Sequence, residues 1–226
     1  MSVFLHESIE VGRLGYLDTP ARPNGAGVVL THGAGSNCRS ALLLAVAEGF
    51  LRAGTHVLRY DLPFRQQRPT GPPRSAGAED RKGLVEAVHE LRRLVRDDVY
   101  LAGHSYGGRQ ASIVATEEPG ICDGLLLLSY PLHPPKEPWK IRTEHFPRLT
   151  TPALFVHGSK DPFATAEELS TAVGKIPGIT AIIMVENAAH DLRKGSFEVG
   201  KQVIEPFTEL IKTKRQQSEQ STQKSK

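Results

Sequence analysis

Cysteine is scarce in this chain: Cys38 and Cys122 are the only two in 226 residues. Two thiols in a chain this long do not make a disulfide framework, and the usage fits a reducing, cytoplasmic setting. Net charge is also small. The formal value is +3, and the stretch from Thr213 onward (Lys214, Arg215, Lys224 and Lys226 against Glu219) accounts for all of it. The body is therefore near neutral, which excludes the clustered basic face that a nucleic-acid surface needs. No apolar run approaches the roughly 20 residues required to span a bilayer. Met1–Glu7 lacks the basic segment and long apolar core of a secretory leader. No Cys or His pair has zinc-ligand spacing, so neither a metal nor another cofactor is expected. There are no internal repeats.

What is present is enough apolar material for one large core, 39% of residues, with an ordinary 23% charged. The apolar runs Gly27–Thr31, His56–Tyr60, Val99–Ala102, Gly124–Ser129, Ala153–His157 and Thr180–Val185 read as strands buried on both faces, typical of a parallel sheet. Helical patterns over Arg39–Ala53, Glu79–Arg96, Arg109–Glu118, Ala164–Val173 and Val199–Lys212 lie between them. In the second, Leu84, Val85, Val88, Leu91 and Leu94 recur at helical spacing, a stripe for packing on a sheet. Strands alternating with helices predict an α/β fold with a doubly wound, mostly parallel sheet flanked by helices. The weak alternation of Ser2–Leu17 suggests an antiparallel edge hairpin. Pro63–Ala78 reads as a loop, and Pro131–Pro152 as irregular with one short helix near Ile141–His145. The division expected is one domain over 1–212, without a large cap, and a disordered basic tail over 213–226, rich in Gln, Ser and Lys with nothing to bury.

The most informative stretch is Gly103-His104-Ser105-Tyr106-Gly107. It follows a strand and precedes a helix, so it predicts a sharp elbow that lifts the Ser105 hydroxyl above the sheet. Glycines flank it because the strained turn closes only if its neighbours lack bulk. A serine is a weak nucleophile and needs a base within hydrogen-bond reach, and the base needs an orienting acid. Asp161 lies on the loop after the strand Ala153–His157. The rival acid position, after Gly124–Ser129, holds Tyr130-Pro131 and no carboxylate. His190 follows the last core strand and is the candidate base. His32, His104 and His157 are better placed to buttress turns, and Cys38 reads as a packed small residue. Acyl transfer also needs donors for an oxyanion. The N–H of Tyr106, at a helix N-terminus, is one candidate. The N–H of Ala34, in the small-residue loop His32-Gly33-Ala34-Gly35, is the other. That loop is no phosphate-binding P-loop, because no Lys-Ser/Thr follows its glycines.

His32-Gly33-Ala34-Gly35, Arg59-Tyr60-Asp61-Leu62-Pro63, Gly103–Arg109, His157–Phe163 and Ala189-His190 together resemble the α/β-hydrolase superfamily over roughly 27–210. Within it they resemble a small capless group that includes testis-expressed protein 30 and dienelactone-hydrolase-like proteins. The resemblance implies Ser105 as nucleophile, His190 as base and Asp161 as its orienter. Dienelactone hydrolases proper carry cysteine where this chain has Ser105, which favours a serine esterase or related activity. The expected function is hydrolysis of an ester, thioester or similar acyl bond of a small soluble substrate. The alternative is a catalytically silent binding or scaffold protein on the same fold. The chain between Gly124 and Asp161 leaves no room for a helical lid. The segments bordering the site carry Arg65, Arg68, His133, Trp139, Arg142 and His145. Of these Arg65, Arg68, His133 and Arg142 are candidates for binding an anionic substrate group.

Overall fold

The computed structural model describes residues 7–11, 15–74, 77–193 and 197–224. The strands are β1 (Glu7–Val11), β2 (Gly15–Thr19), β3 (Gly27–Thr31), β4 (His56–Tyr60), β5 (Val99–His104), β6 (Gly124–Leu128), β7 (Ala153–Gly158) and β8 (Thr180–Val185). They form one sheet in the order β1-β2-β4-β3-β5-β6-β7-β8. β1 pairs antiparallel with β2, and β2 with β4; every other neighbouring pair is parallel. The edge hairpin is thus present from Glu7 to Thr19, and residues 2–6 lie outside the described ones.

Alternating side chains feed two cores, as the period of a strand requires. Val29, Leu125, Leu127 and Phe155 face one way, where α3 (Ala78–Arg92), α4 (Tyr106–Glu117) and α5 (Ala166–Val173) pack with Leu84, Val88, Ala111 and Leu169. Val28, Leu30, Leu126 and Val156 face the other way, against α1 (Ala41–Arg52), α6 (Val199–Gln202) and α7 (Ile204–Lys224) through Leu43, Phe50, Val203 and Phe207. Each fully buried Leu or Phe contributes about 1.5–3 kcal/mol relative to its exposed state. The edge hairpin is tied down by a buried pair: Arg59 on β4 donates to both carboxylate oxygens of Asp18 on β2, at 2.5 and 3.0 Å.

Several elements differ from the sequence reading. α3 ends at Arg92, four residues early, so Leu94 falls beyond the helix and lies exposed. The expected loop after β4 opens with one short helix, α2 (Pro63–Gln67), with Pro63 at its first position, where a missing N–H costs nothing. The short helix expected near Ile141–His145 is a 3-10 turn at Phe146–Arg148. The last helix is split at Val203 into α6 and α7. Pro206 explains the break, because in one continuous helix its ring would meet the carbonyl of Gln202. The tail expected to be disordered from Thr213 continues α7 to Lys224. Its Lys, Arg, Gln and Glu residues are good helix formers, and Arg215 forms an ion pair with Asp98.

Topology positions the site. β3 pairs with β4, reached through α1, on one side and with β5 on the other. Such a switch point opens a crevice at the C-terminal ends of adjacent strands. Thr31 and Gly103 are in register there, so the loops after β3 and β5 lie side by side.

Candidate active site

The loop after β5 is the sharp turn its glycines predict. Ser105 has φ 51° and ψ −116°, a conformation that costs a non-glycine residue on the order of 1–3 kcal/mol. The turn closes only because its neighbours are bare. A Cβ on Gly103 would stand 2.4 Å from the Gly108 nitrogen, and one on Gly107 would stand 2.6 Å from the His32 carbonyl oxygen. α4 therefore begins at Tyr106, three residues earlier than its apolar pattern suggests.

β7 and β8 bring up the other two groups. Asp161 follows β7, its side chain fully buried, with Oδ1 accepting the Phe163 N–H at 2.9 Å. His190 follows β8. The two loops meet because Gly158 has no side chain: a Cβ there would stand 2.4 Å from the Ala188 carbonyl oxygen. His190 Nδ1–H donates to Asp161 Oδ2 at 2.8 Å, and His190 Nε2 accepts from Ser105 Oγ at 2.8 Å. An ionised carboxylate only accepts, so it fixes the imidazole with its proton on Nδ1 and a lone pair aimed at the serine. Burial works to raise the Asp161 carboxyl, but the His190 hydrogen bond and charge and the Phe163 N–H outweigh it and hold the group below the usual carboxylate range. The His190 ring lies against Phe163, centroids 4.3 Å apart. Its side chain remains a quarter exposed, which leaves a way in for a ligand.

The two predicted oxyanion donors stand on the loops that flank Ser105. Among the described residues, neither the Ala34 nor the Tyr106 N–H donates a hydrogen bond within the protein. The Ala34 loop is held from behind by Arg65. That guanidinium donates to the carbonyls of Ser36 (2.7 Å), Ala34 (2.8 Å), Gly71 (3.1 Å) and Arg68 (3.2 Å), and lies over the Phe64 ring. Arg65 was expected to bind substrate; the structure gives it a buried clamp's work instead, because the surrounding carbonyls take four of its five N–H donors. Arg68 is turned to the Pro72 carbonyl (2.5 Å). His133 is buried and engaged by the Pro134 carbonyl and the Glu168 carboxylate at 2.8 and 3.3 Å. Trp139 is exposed. Of the four candidate anion binders, Arg142 alone makes no side-chain hydrogen bond or ion pair among the described residues.

Three further histidines support turns, as expected. His32 donates from Nδ1 to the Gly33 carbonyl and accepts the Leu62 N–H on Nε2. His157 donates to the Ala164 carbonyl at 3.0 Å. His104 donates from Nε2 to the carbonyl of His190 at 2.8 Å. Burial holds all three below the ordinary histidine range, His104 at about 4. A second Ser–His contact, Ser112 Oγ to His145 Nε2 at 2.8 Å, is of another kind. Ser112 donates its proton to the Arg109 carbonyl, so it accepts from His145, and this imidazole cannot serve it as a base. Cys38 is buried, its thiol pushed up to about 12 by burial and the nearby Asp61.

Sequence reading missed the role of Arg65, which it took for a substrate-binding candidate. No helix among the described residues is long and apolar enough to cross a membrane.

Residues 24–214 match the model of a family described as alpha/beta hydrolase domain. Solved structures share the fold. Est1E from Butyrivibrio proteoclasticus is 19% identical, with 91% of this chain and 98% of that one covered and a TM-score of 0.72. A dienelactone hydrolase from Anabaena variabilis is 22% identical over 90% and 95% of the two chains, TM-score 0.69. A monoacylglycerol lipase from Paleococcus ferrophilus is 18% identical over 87% and 98%, TM-score 0.69.

Proposed function

The chain belongs to the alpha/beta hydrolase domain family, and from that membership we propose that it is a serine hydrolase that cleaves an ester, thioester or similar acyl bond of a small substrate. The observation that carries the reading is the pair of 2.8 Å hydrogen bonds that link Ser105 to His190 and His190 to Asp161. Three residues from distant parts of the chain do not reach this order and tautomer for the sake of packing. His190 is partly exposed, and the strain at Ser105 is explained by presenting its hydroxyl.

Ser105 Oγ attacks the acyl carbonyl while His190 Nε2 takes its proton. The free N–H groups of Ala34 and Tyr106 hold the oxyanion, with the positive end of α4 behind the second. His190, now charged beside the Asp161 carboxylate, gives the proton to the leaving group, which departs and leaves an acyl-enzyme on Ser105. Water, deprotonated by the same imidazole, releases the acid.

Labelling with a fluorophosphonate tests this. Modification is expected at Ser105, absent in Ser105→Ala and strongly reduced in His190→Ala. A folded wild-type protein that stays unlabelled, and that turns over no acyl ester or thioester, overturns the proposal in favour of a binding protein on this fold.

A further inference from the structure

Asp80 stands in the first turn of α3 and is only 1% exposed. A carboxylate taken out of water is costly unless hydrogen bonds offset its lost hydration. Both of its oxygens have one. Oδ1 accepts the Phe64 N–H at 3.0 Å, and Oδ2 accepts the Tyr106 hydroxyl at 2.6 Å. The N-terminal end of α3 adds its positive dipole. The cluster is tight: Gly77 has φ 85°, and a Cβ there would stand 2.8 Å from the Tyr106 hydroxyl oxygen.

The two groups that donate to Asp80 belong to the two walls of the proposed oxyanion site. Tyr106 opens α4 and carries one of its N–H groups. That N–H has no partner within its helix, so the helix does little to fix its direction. The Tyr106 side chain, anchored at its hydroxyl, does so from the far end. Phe64 lies on α2, and its neighbour Arg65 holds the carbonyls of Ala34 and Ser36 in the loop that carries the other N–H. Apolar contact joins the same walls. The Phe64 ring meets the Tyr106 ring edge-on and the His32 ring at a tilt, with centroids 5.6 Å apart in each pair. His32 in turn donates to the Gly33 carbonyl, next to Ala34.

We propose that Asp80 is a positioning residue for the oxyanion site: one buried carboxylate ties Tyr106 to α2 and so sets the gap between the Tyr106 and Ala34 N–H groups. This role rests on the hydrolase reading above. Asp80 hydrogen-bonds neither Ser105 nor His190 among the described residues; it acts through Tyr106 and Phe64. Donors aimed before charge develops stabilise it without reorganising, so a slack gap costs rate and leaves substrate binding alone.

The test uses full-length protein, with turnover of p-nitrophenyl acetate and the rate of fluorophosphonate labelling as two readouts. Asp80→Ala removes both acceptors. Asp80→Asn keeps an acceptor for the Phe64 N–H and offers an N–H to the Tyr106 oxygen. Tyr106→Phe removes the hydroxyl alone and keeps the ring packing, so it decides the matter even if Asp80→Ala does not fold. In Asp80→Ala, kcat and the labelling rate are expected to fall about 30- to 100-fold with KM within about threefold. Tyr106→Phe should lose about tenfold in the same way, and Asp80→Asn should recover to within about fivefold of wild type. The double variant Asp80→Ala/Tyr106→Phe should be no more than about twofold worse than Asp80→Ala, because the two side chains act as one unit. A brace for stability alone would lower the urea midpoint and leave the rates of folded protein unchanged. Rates within about threefold of wild type in folded Tyr106→Phe, a loss that appears only in KM, or Asp80→Asn no better than Asp80→Ala overturns the role of Asp80 while the hydrolase reading stands. Wild-type protein that takes no label and turns over no ester removes the hydrolase reading, and the role of Asp80 with it.

Discussion

His104 and His190 face each other with ring centroids 5.0 Å apart, and His104 Nε2–H donates to the backbone carbonyl of His190 at 2.8 Å. The residue before Ser105 thus holds the loop that carries His190. Since burial keeps His104 at about 4, it remains a neutral single donor across the physiological range. His104→Phe keeps the ring and loses the donor. We expect kcat on an acyl ester to fall about 10- to 100-fold with KM within about threefold, because misplacing a base by a fraction of an ångström costs rate rather than binding. The pH–rate profile should also change shape, a readout that loss of packing alone would not move. Unchanged kcat would remove His104 from any positioning role.

Asp161 accepts from both His190 and the Phe163 N–H. Asp161→Asn preserves the shape but loses the charge that fixes the imidazole tautomer and stabilises its protonated form. The expected drop in kcat is roughly 10³- to 10⁴-fold. A loss under tenfold would mean that His190 draws its orientation from elsewhere, His104 and Phe163 being the nearest sources.

Much of this was legible in the chain itself. Five inner strands, β3 to β7, and the positions of Ser105, Asp161 and His190 follow from buried apolar runs and from what stands at their ends; the run of β8 reads as buried on both faces, but it forms the half-buried edge strand. Runs of this kind are local signals, and parallel pairing with short crossovers fixes which strand ends meet. The tasks of the arginines were not legible, because a guanidinium on a loop reads the same whether it meets carbonyls or solvent. Arg65 meets four carbonyls from two separate stretches, 34–36 and 68–71, and only the folded chain puts them together. The helical tail was missed because an absence of apolar residues does not forbid a helix of Lys, Arg, Gln and Glu that extends one already anchored by Phe207 and Ile211.

Acid should weaken the fold in a defined window. His104 and His145 have folded values of about 4, below the 6.5 of an unconstrained histidine. Between these limits the unfolded chain binds more protons than the folded one, so stability falls as pH falls. The contribution is complete above about pH 6.5 and lost by about pH 4, on the order of 2–3 kcal/mol for each group. His32 and His157 are shifted the same way, and Asp161, lowered from 3.8, extends the loss to still lower pH. Urea midpoints at pH 7.5, 6, 5 and 4 should decline steadily, and less steeply in His145→Asn, which removes one of the titrating groups. A flat profile from pH 7.5 to 4 would contradict the buried, neutral state of these rings.

Arg65 gives the sharpest separation between architecture and chemistry. It touches no group of the Ser105–His190–Asp161 chain, yet it holds the carbonyls of Ala34 and Ser36 at 2.8 and 2.7 Å, on either side of Gly35. An oxyanion donor is effective only if its direction is set before the charge develops. Arg65→Met keeps an aliphatic stem and removes every donor. Four carbonyls then lose a partner, and those left dry cost about 1–3 kcal/mol each, so the midpoint of urea unfolding should fall. Arg65→Lys restores charge and one or two of the four bonds, and should recover part of that stability. Activity should separate from stability. At a temperature where both variants are fully folded, kcat is expected to drop about 10- to 100-fold through a loosened Ala34 N–H. Fluorophosphonate should still react at Ser105, more slowly, because its base is intact. If Arg65→Met loses stability but keeps full kcat, the Ala34 loop holds its shape unaided and Ala34 ceases to be a credible oxyanion donor.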